Sequence, residues 1–567
     1  MSESASILLT IFADARKVPL RHPEIRFVPW RSRADGEASS SRAGVLPLMR
    51  SVMLALTVIV TLCAVADAQA ASLFEADAWS VPESGVDARV FAALEREGIA
   101  PANSCSDAVF LRRAYVDLIG TVPRPDETRV FLQDDSPDRR AALIDELLQR
   151  EEFADYWALK WADLLRVKAE FPVNLWPNGV QCYHRWLRDA VKQNMPFDDF
   201  SRELLTSSGS NFRCAPVNFY RATQNREAVG LAEVVALTFM GSRIASWPEE
   251  QRDGMAQFFS RVAFKPTDEW KEEIVLNDPA PTEPLQATFP DGTTVTIEAG
   301  EDPRVVFADW LISEDNPWFA RNIANRVWSW LMGRGIIHEP DDIRPDNPPV
   351  NPELLSYLEQ ELIASDWDLR HLFRLIANSR TYQQSPIARS DDPDAERMFA
   401  CYPVRRLDAE VLIDALNWIG GTGETYQSPI PEPFTWIPEE KRAIALADGS
   451  ITSTFLQMFG RPPRDTGFES ERSTNVTDAQ RLFMLNSSDI YHRIHDSIIL
   501  RRIAIEAGGD REALIHGIYV ALLSREPTVD EIADAEAYWT DSGQNANQAA
   551  TDLAWALVNS MEFMYRH

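Results

Sequence analysis

Residues 139–148 read RRAALIDELL. In a helix the charged side chains of this stretch lie on one face, opposite an apolar face formed by Leu143, Ile144, Leu147 and Leu148. Helical spacing of this kind dominates residues 90–191 and returns after residue 305. The sequence therefore predicts a mainly α fold whose helices pack through their apolar faces.

A short segment in the middle of the chain has a different period. Residues 272–276, 287–289 and 293–298 alternate with a period near two, and Pro290-Asp291-Gly292 is typical of a tight turn. This pattern predicts a small β-hairpin insertion between two helical domains. We place the first helical domain at residues 85–265, a β-rich linker or insertion at 266–304, and the second helical domain at 305–567.

The first 71 residues are expected to lie outside these domains. Residues 1–48 show no sustained period and are predicted to be disordered, or to follow from a wrongly assigned start. Residues 49–71 combine Arg50, an apolar run and a small-x-small site, which is the pattern of a signal peptide. The run is shorter than the ~20 residues of a membrane span, although an uncleaved anchor is the alternative. We expect an exported, periplasmic or extracellular protein with no membrane segment after signal cleavage.

The composition excludes several classes of protein. The 567 residues are 45% hydrophobic and 25% charged, as in an ordinary globular protein. There are 86 acidic and 56 basic residues, which give a net charge of -30. A chain of this charge repels phosphate backbones, so nucleic acid is not an expected partner.

Five cysteines are too few for a disulfide-rich scaffold. Export would leave four of them in an oxidising compartment, which permits two disulfides in three connectivities. We predict a bridge between Cys182 and Cys214, which flank one segment of the first predicted domain between two helical stretches. Such a bridge would stabilise the fold by about 3–4 kcal/mol, and it needs Cα atoms within about 7 Å.

Two sets of motifs resemble a pair of domains that occur together in secreted planctomycete-type proteins. Residues 110–120, FLRRAYVDLIG, resemble the domain of unknown function 1549, which is described as cytochrome-associated. NRVW at 325–328, GRG at 333–335, SRTY at 379–382 and RRL at 405–407 resemble the domain of unknown function 1553. The resemblance implies an architecture and a secreted location, and it supplies little mechanism.

One motif of the resembled family is missing from this chain. Many members carry Cys-x-x-Cys-His near the end of the first domain, where this chain reads ASWPEE at 245–250. Covalent c-type haem needs two thiols and an adjacent axial histidine. We therefore expect no c-type haem, and we predict no other cofactor.

Three carboxylates are weak candidates for catalysis. Asp341 lies in a Pro- and Asp-rich loop at 338–347, and Glu469 and Glu471 alternate with arginines in an irregular stretch. Paired carboxylates can act as acid and base in hydrolysis, but helix capping and local ion pairs produce the same patterns. The loop at 338–347 also offers oxygen ligands for calcium, but its spacing matches no EF-hand, so no metal site is predicted.

Arginines at helix ends and in loops predict an anion-binding pocket in the second domain. Guanidinium groups bind sulfate and carboxylate through two parallel hydrogen bonds. The predicted ligand-binding residues are Arg326, Arg380, Tyr382, Arg405, Arg406 and Arg461. The alternative is local pairing with acids, for example of Arg405 with Asp408.

Two functions are compatible with these patterns. The first is an exported binding or scaffold protein whose ligand is an anion or an extracellular polysaccharide, or which works with a co-secreted protein. The alternative is an extracellular hydrolase that acts on sulfated polysaccharide. The chain contains no recognised catalytic motif, so the sequence favours the first function and leaves open whether the protein is an enzyme.

Overall fold

Helices dominate residues 73–567, which are the residues described by this computed structural model. The mainly α fold is therefore confirmed. The predictions for residues 1–48 and for a signal peptide at 49–71 lie outside the described residues. Within residues 73–567, no helix is both long enough and apolar enough to cross a membrane.

The helices of the first half follow the amphipathic pattern of the sequence. The helix predicted at 139–148 spans Arg139–Leu147, and it buries Leu143, Ile144 and Leu147. The helices before the strands are α1 Gly85–Glu97, α2 Asp107–Ile119, α3 Pro125–Gln133, α4 Arg139–Leu147, α5 Glu151–Leu164, α6 Trp176–Lys192, α7 Phe197–Thr206, α8 Asn218–Arg221, α9 Ala228–Val235 and α10 Glu249–Ala256.

The strands form three small antiparallel sheets. A three-stranded sheet has the order β1 (Gly209–Ser210), β3 (Glu273–Asn277), β2 (Val262–Pro266). A hairpin pairs β4 (Leu285–Thr288) with β5 (Thr294–Ile297), and the predicted Pro-Asp-Gly turn lies between them. Alternation places Ala287 and Ile297 in the core while their neighbours face solvent.

The second half is again helical, and its helix starts carry local capping chemistry. Asn351, for example, accepts a hydrogen bond from the backbone N–H of Leu354 at the start of α13. The helices are α11 Pro303–Leu311, α12 Phe319–Met332, α13 Pro352–Ala364, α14 Leu369–Ala377, α15 Ala409–Gly420, α16 Thr454–Met458, α17 Asp478–Asn486, α18 Ser488–His495, α19 Ile498–Ala507, α20 Arg511–Leu523, α21 Val529–Ser542, α22 Ala546–Val558 and α23 Met561–Met564.

One predicted helix start is wrong in a way that matters for the site. The apolar spacing of residues 405–416 predicts a helix that begins at Arg405, but α15 begins only at Ala409. Arg405–Arg406 instead form a two-residue strand, β6, which pairs with β7 at Tyr565–Arg566. The partner strand is more than 150 positions away along the chain, so local spacing could not reveal it.

The two predicted helical domains share one hydrophobic core. Trp157 of α5 packs on Trp330 of α12 with ring centroids 5.1 Å apart, and it packs on Phe373 of α14 at 4.3 Å. Phe197 of α7 stacks on Phe319 of α12 at 4.8 Å. The described residues 73–567 accordingly belong to one compact unit, and one hydrophobic core runs across the boundaries predicted at 265 and 305.

The predicted disulfide between Cys182 and Cys214 is not formed in the structure. Both residues are free thiols, as are Cys105 and Cys401. Cys182 and Cys214 are nevertheless close enough that the charge of a Cys214 thiolate contributes to the raised pKa of Cys182, after the larger effect of burial. The structure therefore places the two cysteines near each other, as the sequence predicts, but it contains no bond between them.

Candidate functional site

A charged cavity of about 180 Å³ lies where α5, α12 and the β6–β7 pair meet. We call it the cationic cavity. It brings together five basic residues from segments that are far apart in sequence. The basic residues are Lys160, Arg405, Arg406, Arg472 and Arg566; the other residues that line the cavity are Ser329, Trp330, Gly333, His338, Glu339, Pro340, Asp408, Glu469, Ser470 and Thr474.

Lys160 is the only lysine of the cavity, and it lies on the buried side of α5. Its Nζ donates to Oδ2 of Asp408 at 2.8 Å, and its side chain is only 10% exposed. Burial lowers the pKa of Lys160, and the positive charge of Arg472 lowers it further. An ammonium group has three donors, and Asp408 takes one of them, so Lys160 can still bind an anion.

Asp408 is the acid that holds these cations together. It accepts hydrogen bonds from Lys160, from the hydroxyl of Tyr156 at 2.8 Å and from Arg566 at 2.7 Å. Burial acts to raise its pKa, but Lys160, Arg566 and Arg472 hold the pKa of Asp408 well below its usual range. Asp408 therefore stays ionised and compensates part of the positive charge.

Arg406 has no acidic partner. Its guanidinium donates to the backbone carbonyls of Leu407, Phe459 and Ser473 at 2.7–3.0 Å. No carboxylate of the described residues lies within 4 Å of it, whereas the other three arginines of the cavity each pair with at least one. Arg406 thus reaches the cavity wall without a paired acid, and only the more distant charges of Asp408 and Glu410 stabilise its positive charge.

The remaining arginines are held by carboxylates behind the cavity wall. Arg405 and Arg566 both reach Asp117, at 3.4 and 2.9 Å. Arg472 forms a forked contact with Asp163 and Glu410, and these carboxylates raise its pKa against the effect of burial. This scaffold orients the guanidinium groups before any ligand arrives.

Among the side chains that line the cavity itself, basic groups outnumber acids, and Asp117, Asp163 and Glu410 neutralise part of this excess from behind the wall. Five basic residues face three acids, which are Asp408, Glu469 and Glu339, and Glu339 lies at the surface beside Arg243. In addition, the Nε groups of Arg405, Arg406 and Arg566 are buried without a hydrogen-bond partner among the described residues. Buried unpartnered donors are costly, so these three groups are candidates for contact with a bound acceptor.

Glu469 lies between the cationic cavity and a smaller cavity beside it. Both of its carboxylate oxygens accept from Nε1 of Trp330, at 3.2 and 3.3 Å, and its backbone N–H donates to Asp341. Burial raises the pKa of Glu469, against the opposing charge of Arg326. Lys160, Glu469 and Arg472 line both cavities.

The structure places three of the predicted site residues, Arg405, Arg406 and Glu469, at the cationic cavity. Arg326 is buried and pairs with Asp341 at 2.7 Å, where it supports the backbone of Glu469 from behind. Arg461 is also buried, 3.3 Å from Glu410. Burial lowers the pKa of Arg461 to about 10. Both arginines therefore pair with acids, as the alternative predicts, but the partner of Arg461 comes from a distant segment of the chain.

The other predicted site residues lie away from the cavity. Arg380 donates to the carbonyl of Val81, and Tyr382 donates its hydroxyl to Asp117 at 3.0 Å. Glu471 accepts hydrogen bonds from the backbone N–H groups of Asp465 and Thr466, so it closes its own loop. The sequence predicts all three as site residues, but none of them lines the cationic cavity.

Sequence reasoning missed four residues of the cavity, namely Lys160, Asp408, Arg472 and Arg566. Lys160 carried a readable signal, because it interrupts the aromatic and apolar run YWALKW within one helix. Arg566 carried none, because its place depends on the pairing of the last strand with Arg405–Arg406.

Among residues 73–567 there is no group of three or more His, Cys, Asp or Glu side chains that could hold a metal ion. In the loop at 338–347, Asp341 is engaged by Arg326 and Asp342 lies 3.3 Å from Arg344. The oxygen atoms of this loop therefore serve ion pairs and backbone contacts.

These features define a mainly helical protein with a cavity that is lined by basic residues from both halves of the chain. Residues 85–246 match the family described as "Protein of unknown function (DUF1549)", and residues 303–539 match "Protein of unknown function (DUF1553)". The chain therefore carries both domains of the pair that the motifs predict. No curated protein and no solved structure matches the chain.

The cavity draws on both family segments. Lys160 comes from the first, whereas Arg405, Arg406, Asp408, Glu469 and Arg472 come from the second. Arg566 follows the second match. The cavity is thus lined by residues of both segments.

Proposed function

We propose that this protein is an exported binding protein that holds the sulfate or carboxylate group of an acidic ligand in the cationic cavity. The observation that carries the proposal is the excess of basic over acidic groups among the residues that line one cavity of a chain whose net charge is -30. A packing role alone does not explain why Arg406 lies at the cavity without a paired acid, and the Nε groups of Arg405, Arg406 and Arg566 have no partner among the described residues that would compete with a bound anion.

The cavity supports binding through several kinds of donor. Lys160 offers a compact ammonium charge, and the arginines offer planar forks that match the oxygen atoms of sulfate and carboxylate. The ligand group would also shield Lys160 from Arg472, whose charge destabilises its ammonium form. Bound anions should therefore raise the pKa of Lys160.

The experiment is a calorimetric titration with sodium sulfate and with sodium acetate at low chloride. We expect the native protein to bind at least one of these anions and Lys160→Met to bind it at least about tenfold more weakly, since a charge-assisted hydrogen bond contributes about 1.5–3 kcal/mol. Lys192→Met is the matched control, because Lys192 lies half-exposed on the surface beside Glu151. Equal affinities in the native protein and Lys160→Met would contradict the proposal.

The second candidate is a hydrolase, and one observation favours it. Lys160 and Glu469 line the same two cavities, and burial lowers the pKa of the lysine while it raises the pKa of the glutamate. Groups whose pKa values move towards neutrality are candidates for proton transfer. A mechanism that uses two carboxylates as acid and base is less well supported, because Asp408 accepts hydrogen bonds from three donors.

Glu469→Gln separates the two candidates. A binding site for an anion loses a repulsive charge in this variant, so we expect sulfate to bind as tightly as before or more tightly. A hydrolase that uses Glu469 as its acid would lose turnover of sulfated or carboxylated polysaccharide while still binding it. Reducing-end assays with the native protein and with Glu469→Gln distinguish these results.

A further inference from the structure

A cluster of aromatic side chains lies at the surface, and none of its members lines the cationic cavity. We call Trp176, Trp270 and Phe434 the aromatic platform. The ring centroids of the two tryptophans are 4.6 Å apart. The ring centroid of Phe434 lies 5.5 Å from that of Trp176 and 5.7 Å from that of Trp270. Trp270 is 61% exposed and Phe434 is 49% exposed. Among the tryptophans of residues 73–567 only Trp270 and Trp436 are exposed, so packed rings that remain open to solvent are unusual in this fold.

The platform is held in place by its surroundings. The Nζ of Lys271 lies 5.6 Å from the ring centroid of Trp176 and 5.8 Å from that of Trp270. Trp176 and Lys271 both adopt positive φ, at 66° and 65°, a conformation that residues other than glycine rarely adopt. Such strain persists where the surrounding structure fixes it, and it is concentrated at functional sites.

A polar groove of about 460 Å³ is lined by residues that lie close to the platform residues along the chain. Lys168 and Glu170 line the groove just before Phe171, which is exposed, and Trp176 of the platform. On the facing segment, Gln427 and Ser428 precede Phe434 and the exposed Trp436. The uncharged polar side chains of the groove are Gln427, Ser428, Ser450, Thr452 and Gln457.

We propose that the groove and the aromatic platform together bind a glycan chain. A sugar ring has an apolar C–H face, which packs on an indole or phenyl ring, and a rim of hydroxyl groups, which both donate and accept hydrogen bonds. Amide and hydroxyl side chains match that rim because they also do both. An apolar protein partner would leave the same amides and hydroxyls desolvated without partners, so a polyhydroxylated chain fits the surface better.

This glycan site is independent of the anion-binding function, because it uses other residues. The two sites are nevertheless neighbours. Pro462 lines the polar groove and also the small cavity that shares Lys160, Trp330, Glu469 and Arg472 with the cationic cavity. A glycan that carries sulfate or carboxylate groups could therefore engage both sites at once.

The test is native affinity electrophoresis of the full chain in gels that contain hydroxyethylcellulose, laminarin or xylan, all of which are uncharged or nearly so. We expect at least one polysaccharide to retard the native protein, and the double variant Trp270→Ala/Phe434→Ala to lose roughly tenfold or more in apparent affinity. Gln457→Ala, which alters the groove and leaves the platform intact, should also weaken retardation. Tyr491→Ala, an exposed aromatic on α18, is the matched control and should behave as the native protein.

Three results would overturn the glycan site. The first is no retardation by any of the three polysaccharides, and the second is equal retardation of the native protein and the platform variant. The third is a dimer in sedimentation that Trp270→Ala dissociates, since the platform would then be an interface between copies of this chain. Lys160→Met should retain retardation by the uncharged polysaccharides, so failure of the anion site and failure of the glycan site are distinguishable.

Discussion

At the scale of single residues, Asp117 has an unusually large share in holding the site together. It is fully buried and accepts hydrogen bonds from the hydroxyls of Tyr382 and Tyr402, at 3.0 and 2.6 Å. It also pairs with Arg405 and Arg566, both of which line the cationic cavity. One carboxylate therefore links the first family segment to the wall of the cavity.

We expect Asp117→Asn to lower the free energy of unfolding by about 3–5 kcal/mol, because it leaves Arg405 without its acid and removes one of the two acids that pair with Arg566. Urea denaturation monitored by tryptophan fluorescence measures the change. Asp478→Asn is the control: Asp478 is 94% exposed and lies 3.8 Å from Arg481, so its loss should change stability by no more than about 0.5 kcal/mol. Similar changes for both variants would show that the buried network does not stabilise the fold.

A second residue-scale prediction concerns pH. Burial lowers the pKa of His184 from 6.5 to about 3, so the folded state binds its proton less readily than the unfolded state. The stability that depends on neutral His184 is fully present above pH 6.5 and is lost as the pH falls from there towards 3. Between pH 7 and pH 5 the loss from this group is about 2 kcal/mol.

We therefore expect His184→Leu to be less sensitive to acidification between pH 7 and pH 5 than the native protein. The measurement is urea denaturation at a series of pH values. His492→Leu, on the exposed face of α18, is the control and should retain the native pH dependence. A pH dependence of His184→Leu that equals that of the native protein would contradict the assignment.

The individual residues of the site were only partly predictable. Arg405 and Arg406 were within reach because arginines next to an element boundary favour an exposed or ligand-facing role. Arg326 and Arg461 occur in similar sequence settings, yet Asp341 and Glu410 bury them in ion pairs. The difference lies in which acid the fold brings near each guanidinium, and that depends on contacts between distant segments.

At the scale of secondary-structure elements, Gly241 fixes the junction between the two family segments. It has φ of 59°, and its carbonyl accepts a hydrogen bond from the N–H of Ile343. A Cβ at this position would lie 2.7 Å from Oδ1 of Asn322 and 2.8 Å from the carbonyl oxygen of Pro340. Both a left-handed backbone and a close approach therefore require glycine here.

We expect Gly241→Ala to destabilise the protein by more than Gly98→Ala. Gly98 also has positive φ, at 70°, but no atom lies within 4 Å of a Cβ built there, so its replacement costs only the backbone strain of about 1–2 kcal/mol. Thermal unfolding of the two variants isolates the steric contribution at Gly241. Equal destabilisation would show that the junction can relax.

Elements were most predictable where local chemistry decides them. The apolar spacing of residues 318–331 predicts a helix, and the structure has one at Phe319–Met332; the hairpin turn likewise lies at the predicted Pro-Asp-Gly. The sequence failed at Arg405–Arg406, where pairing with the last strand overrides a helical pattern. It also predicted one helix over 549–563, whereas α22 ends at Val558 and Ser560 caps the separate short helix α23.

At the scale of the whole molecule, the continuous core predicts that the two family segments unfold together. The aromatic contacts of Trp157 and Phe197 cross from one segment to the other, and so does the buried Lys160–Asp408 pair. We expect scanning calorimetry of the chain without its first 71 residues to show one transition, with equal calorimetric and van't Hoff enthalpies. Two separate transitions would mean that residues 85–265 and 305–567 are independent domains.

The central claim is that the cationic cavity binds an anion, and anomalous diffraction from a crystal soaked in selenate tests it most directly. Selenate has the shape and charge of sulfate, and selenium identifies its position. We predict an anomalous peak inside the cavity, with selenate oxygens within about 3 Å of Nζ of Lys160 and of the guanidinium of Arg406, and no such peak in Lys160→Met. Selenate bound only at the outer surface of the native protein, with none in the cavity, would contradict the account.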